Sequence, residues 1–261
     1  MKIGKEQVGS ARIDENGRGR GGRAGDQKQT TTPDYKGEVS QQDIYVHSKG
    51  FIVARLKKPA WAKKCAKAMI TACDNPHIGY DQDQRYGLVN RDVDTTEDCE
   101  TDCSALVRRC ILDATGKDVG DIRTITMRVL LAKSGLFLPF FQYKKNMPIY
   151  TGDILFTGIL TDTPISGHTV ACTKGWSPVD HEVPYPYLKK GYNCPDTGRL
   201  QALLKAQGFT DSKGNPLDID QEFGKNTDYA LRAWQKANGL ISDGEYCSKS
   251  YAKMQEIVSG V

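Results

Sequence analysis

Three of the chain's eight cysteines, Cys99, Cys103 and Cys110, fall within the single stretch TEDCETDCSALVRRC, Thr96 to Cys110. Three chemistries suit such a cluster: a metal cage, a disulfide or one reactive thiol. Zinc is disfavoured, because C-x3-C-x6-C contains no C-x2-C knuckle and no histidine stands nearby as a fourth ligand. A Cys99–Cys103 disulfide remains open as a redox lock, although a reducing compartment keeps thiols free. The third chemistry fits best. Cys103 falls at the first turn of a predicted helix, where unpaired N–H groups and the helix dipole favour a thiolate and face a developing oxyanion. Its base must come from only four histidines. His168 follows a glycine at the start of an apolar strand pattern, a place from which an imidazole can meet a helix N-terminus.

The elements that must position this pair are legible as periodicity. Cys103, Leu106, Val107, Cys110, Ile111 and Ala114 trace one buried helix face, so Cys110 reads as core. Asp102 or Thr101 can cap the start, and Gly116 stands where the helix would stop. A helix opening at Pro59 carries Trp61, Cys65, Met69 and Cys73 at intervals of four, which makes Cys65 and Cys73 core thiols. Strand patterns appear in FIVARL (Phe51 to Leu56), RTITMRVLL, GDILFTGIL (Gly152 to Leu160) and GHTVACT (Gly167 to Thr173). The fold class is therefore α+β. The first fifty residues are polar, and GRGRGGR (Gly17 to Arg23) reads as a flexible basic loop or an RNA-binding arginine–glycine segment.

At 261 residues the chain has room for one large domain or two smaller ones. The proportions of hydrophobic (38%) and charged (26%) residues are those of a soluble protein. No apolar run approaches the ~20 residues that cross a bilayer, and MKIGKEQVGSARIDENG lacks an apolar signal-peptide core. Synthesis in the cytoplasm is the expectation. A net charge of +4 favours, without requiring, an anionic partner. From Ser177 to Thr197 the chain carries four prolines and little periodicity, and reads as linker in its later part. Beyond it, helical patterns recur at Leu200, Leu203 and Leu204; at Ala230, Leu231 and Trp234; and at Tyr251, Met254, Ile257 and Val258. DSKGNPLDIDQE hints at a calcium loop, but Lys213 and Gly214 break the ligand order. No metal or other cofactor is expected.

TDCSALV with a downstream GDILF and GHTVA resembles the NlpC-type, papain-like peptidoglycan cysteine peptidases and amidases of phage endolysins. The resemblance implies a helix bearing the cysteine packed on an antiparallel sheet, with Cys103 as nucleophile and His168 as general base. HIGYDQDQR (His77 to Arg85) and IDENGRGRGGRAGDQ also resemble stretches of these lysins. That implies a place for Tyr80, with Asp81, near the substrate, and draws the polar N-terminus into the catalytic domain. The family orients its histidine with a polar group about a dozen residues downstream. Counting outward from a turn at Lys174-Gly175 gives His181 for this role, with Asp180 beside it as the alternative.

LQALLKAQGF, DIDQEFGKNTDYALRAWQKANGL and SDGEY resemble a small three-helix peptidoglycan-binding domain. Asp220, Phe223, Gly224, Thr227, Ala230, Trp234 and Gln235 fall on its recurrent positions, and CSKS departs from its usual ending. Phe223 and Trp234 are expected in the core. The resulting expectation is a papain-like catalytic domain over 1–180, a linker over 181–196 and a wall-binding domain over 197–261. Such a protein would act as a monomer on peptidoglycan after holin-type release, without nucleic acid or membrane insertion. It would hydrolyse either the D-glutamyl–diamino acid bond or the muramoyl–L-alanine bond. A non-catalytic wall-binding protein, and an RNA-binding protein acting through GRGRGGR, remain the alternatives.

Overall fold

The computed structural model describes residues 6–138, 140–145, 149–175 and 187–259. Two compact units emerge, the larger built from 2–143 and 149–179, the smaller chiefly from 180–261.

The larger unit is α+β. Its sheet joins β1 (Gln7–Ala11), β2 (Val39–Asp43), β3 (Phe51–Ala54), β6 (Phe141–Gln142), β7 (Ile154–Thr157) and β8 (Thr169–Lys174) in the order β2-β1-β8-β7-β3-β6. Every neighbouring pair is antiparallel. A separate parallel pair joins β4 (Ile78–Tyr80) to β5 (Cys99–Thr101). Helices α1 (Pro59–Cys73) and α2 (Cys103–Thr115) cover the sheet. Ile52, Ala54, Met69, Cys73, Leu106, Cys110, Ile111 and Ala171 share one core beneath them. The N-terminal strand thus lies inside the sheet, and its composition explains why. A Cβ on Gly9 would stand 2.6 Å from Met69 Cγ and 2.9 Å from Cys73 Sγ, so only glycine lets α1 approach this closely. Gly9 and Ala11 meet the helical layer; Ser10 takes the alternate side of the strand, and Arg12 follows its last residue.

RTITMRVLL is not a strand. Thr124–Ser134 forms helix α3, with Met127 and Leu131 buried one turn apart and Ile125 and Val129 exposed. Its β-branched residues favour a strand locally, and burial at i, i+4 spacing overrides them. The segment Gly17–Arg23 is also tied down more firmly than a flexible loop. Gly21 N–H donates to Asp81 Oδ2 at 2.7 Å, and Gln82 N–H to Gly19 O at 3.0 Å. Arg18, Arg20 and Arg23 remain exposed on it.

Two buried carboxylates have no basic partner among the described residues. Glu38 is fully buried and Glu100 is 2% exposed, with both Glu100 carboxylate oxygens unpaired among the described residues. Burial, then their neighbours' charge, raises Glu38 to about 7 and Glu100 to about 8. The folded state therefore holds protons that the unfolded chain releases above pH ~4.5, so stability falls as pH rises from there through 8. Glu100→Gln, which is neutral at every pH, is expected to stabilise the protein by at least ~1 kcal/mol at pH 9 and negligibly at pH 5. Urea titrations at the two pH values check this, and equal effects would refute it.

The smaller unit holds α4 (Pro195–Ala206), α5 (Lys225–Ala237) and α6 (Ser248–Ser259). Trp234 and Phe223 are core, and the Trp234 indole N–H donates to Gln207 Oε1 at 2.9 Å. Two buried glutamines repeat one local design. Gln201 donates to Asp220 Oδ1 (2.7 Å), Glu222 O and Thr227 Oγ1, while Gln221 N–H returns a bond to its Oε1. Gln235 donates to Asp243 Oδ1 (2.9 Å), Glu245 O and Ser250 Oγ, and Gly244 N–H returns the bond. Ser250 of CSKS thus does for the second turn what Thr227 does for the first. No helix among the described residues is long and apolar enough to cross a membrane.

Candidate active site

Helix α2 presents Cys103 as its first residue because Asp102 ends the preceding extended segment and caps the helix. Asp102 Oδ1 accepts from Ala105 N–H at 2.7 Å. Gly116, at φ 72°, closes the other end in the left-handed conformation. Arg85 holds the cap from behind. Its Nε bonds Asp102, one terminal nitrogen pairs with Asp121, and the other reaches Ser104 Oγ at 2.9 Å and Ile122 O at 2.8 Å.

The backbone N–H groups of Thr169 and Ser104 favour the charged form of the Cys103 thiol, and α2 packs against β8. His168 immediately precedes β8, the strand against which α2 packs. Among the described residues, however, the hydrogen bond of the His168 ring goes to Ser10, not to Cys103: Nε2 lies 3.1 Å from Ser10 Oγ. Ser10 is fully buried on β1.

The thiol is not the thiolate expected of a helix N-terminus. Burial, then the Asp102 charge, pushes Cys103 up to about 12, against the smaller opposing pull of the two N–H groups and Arg85. His168 moves the opposite way, down to about 4, through burial and the positive charges of Arg12 and His47. At neutral pH the pair is a neutral thiol and a neutral imidazole.

Tyr80 is buried at the end of β4. Its hydroxyl accepts from Gln82 Nε2 at 3.0 Å, and it is within electrostatic range of Cys103 and Asp102. Tyr45 also feels the Cys103 charge, and it packs with His47 and Phe51 in an aromatic cluster. Asp81 is 1% exposed, and its oxygens accept from the backbone N–H groups of Gly21, Asp83 (2.6 Å) and Gln84. It ties the glycine-rich loop to the segment carrying Tyr80. His181 and Asp180 lie outside the described residues.

Sequence reading missed Ser10 and Arg12. In QVGSAR they look like unremarkable residues of a strand and its end, and only the pairing of β1 with β8 brings Ser10 to His168. The other cysteines offer no second centre. Cys65, Cys73 and Cys110 are buried with thiols pushed far up by desolvation, and all eight cysteines are free. Among the described residues no cluster of three His, Cys, Asp or Glu side chains is arranged to hold a metal.

Residues 8–176 match the model of a family described as an endolysin-like domain, and residues 194–253 match that of a peptidoglycan binding domain. No curated protein and no solved structure gives a significant match to the chain.

Proposed function

The chain belongs to the endolysin-like domain family and also carries a peptidoglycan-binding domain; from that premise we propose that this cell-wall-acting endolysin is a cysteine amide hydrolase of the peptidoglycan stem peptide. The observation that carries the reading is a helix that opens at Cys103 behind the Asp102 cap and packs against β8, the strand that His168 immediately precedes. A cysteine-bearing helix laid on an antiparallel sheet also supports a papain-like, NlpC-type assignment for the larger unit.

The chemistry runs as follows. His168, its Nε2–H donated to Ser10 Oγ, keeps a lone pair on Nδ1 as the base. It takes the thiol proton as Cys103 Sγ forms a bond to the amide carbonyl carbon, and the Cys103 backbone N–H at the start of α2 receives the oxyanion. The same proton passes to the leaving amine as the C–N bond breaks, leaving a thioester. Water attacks the thioester, loses a proton to His168, and frees the carboxylic acid and the thiol. Low dielectric around a neutral pair suits this order, with proton transfer accompanying attack rather than preceding it. The wall-binding unit raises the local substrate concentration.

Purified Gram-positive sacculi digested by the parent and by Cys103→Ala, with products identified by mass spectrometry, test the proposal. The parent is expected to release new amine and carboxyl termini, and the variant to be at least ~10³-fold slower. Sacculi bound but left intact by both proteins, in reducing buffer and across wall chemotypes, would leave a binding protein instead.

A further inference from the structure

We propose that Arg12 anchors a free carboxylate of the substrate beside the scissile amide, an inference that rests on the hydrolase reading above. Each of the other well-buried guanidiniums in the larger unit has a carboxylate partner: Arg55 has Asp153 at 2.8 Å, Arg85 has Asp102 and Asp121, and Arg109 has Asp92 and Asp113. Arg12 has none among the described residues. Its Nε is buried without any partner, and its single side-chain bond is a long one, 3.4 Å, to Ser40 O. Asp34 lies within electrostatic range, but its carboxylate already accepts from the N–H groups of Lys36 and Gly37. Leaving a guanidinium half-buried and unpaired is costly. The cost has a use if an anion arrives from outside.

The location says which anion. Arg12 follows the last residue of β1, two positions beyond Ser10, and Ser10 bonds His168. The Arg12 charge reaches both His168 and Tyr45. An anion held there sits next to the reacting carbonyl. A guanidinium presents a planar fork of donors that matches a carboxylate.

This distinguishes the two candidate bonds. In a γ-linked glutamyl amide the acyl residue carries an α-carboxylate a few bonds from the scissile carbonyl. In a muramoyl–alanine amide the acyl group is a lactyl ether with no carboxylate. Arg12 therefore selects the γ-glutamyl bond, and selects the free acid over its carboxamide.

The test uses synthetic stem peptides joined to a muramoyl group, with the glutamyl α-carboxyl either free or amidated. The full-length parent, Arg12→Gln, Arg12→Lys and Cys103→Ala are assayed on both. The parent is expected to cut the γ-glutamyl bond and to prefer the free acid by roughly 10- to 100-fold in kcat/KM, the worth of a charge-assisted hydrogen bond. Arg12→Gln should lose that preference through slower cleavage of the acid alone, with Arg12→Lys intermediate. The parent's own acid-to-amide ratio needs no variant to fold, and a ratio near one overturns the anchor. So does Arg12→Gln with the parent's preference intact. Cleavage only at the muramoyl–alanine bond, abolished in Cys103→Ala, overturns the anchor and leaves the hydrolase standing. A parent inert on every amide overturns the hydrolase reading and takes the anchor with it.

Discussion

Arg85→Ala is expected to cost the catalytic unit about 3–5 kcal/mol, the usual penalty for removing one partner of a buried ion pair. The Arg85 side chain is 6% exposed and that of Asp102 14%. Alanine leaves the Asp102 carboxylate under the start of α2 with its counter-charge gone, and strips bonds from Ser104 Oγ and Ile122 O. For a unit of this size the melting temperature should fall on the order of 10 °C. Hydrolysis should fall further than stability does. Asp102 sets where Cys103 begins, and a displacement of ~1 Å at a nucleophile costs about 100-fold in rate. Arg85→Lys keeps the charge without the fork and is expected in between. Calorimetry beside a sacculus-clearing assay at a temperature where both variants are folded separates the two effects. A melting temperature within ~2 °C of the parent would mean the network is ornamental.

The second large effect is in pH. Because His168 is held down to about 4, the acid limb of kcat/KM should fall near pH 4, well below the 6.5 of an ordinary histidine. With Cys103 pushed up to about 12, alkylation by iodoacetamide should stay slow through neutral pH and quicken only on the alkaline side. The same shift governs folding. Between pH ~4 and 6.5 the unfolded chain binds a proton at this histidine that the folded protein refuses, so stability rises with pH across the window and is lost as pH falls. A displacement of this size corresponds to about 3 kcal/mol, which His168→Gln should restore at pH 4. A pH–rate profile, alkylation kinetics and acid unfolding of the two proteins check these together. An acid limb at pH 6–7 with rapid alkylation below neutrality would show a preformed thiolate–imidazolium pair instead.

Much of this was readable from residues alone, and the division has a physical cause. Helix α2 carried its own evidence: an apolar stripe at 3.6-residue spacing, a capping aspartate and a stop glycine, all local. The placement of Cys103 followed. The burial of Trp234 and Phe223 followed as well, since large apolar rings in a small unit have nowhere else to go. Helix α3 misled because Thr124, Ile125, Thr126 and Val129 individually prefer extended backbone, while the decision rested on where Met127 and Leu131 could be buried. The protonation of the pair was misjudged for a similar reason. A helix N-terminus is visible in sequence, whereas the desolvation that outweighs it depends on what packs above. Ser10 and Arg12 were invisible because their meaning lies in a partner strand far along the chain.

That separation shapes how the protein is made. Ser10 and His168 lie 158 positions apart, and β1 takes its place between β2 and β8. Contacts of such range close late, since the entropy of a long loop is lost before the pairing repays it. During synthesis the first strand must wait for the last strand of its sheet to leave the ribosome. Until then the start of α2 has no β8 to pack against, and under the proposed mechanism an unfinished chain is inert.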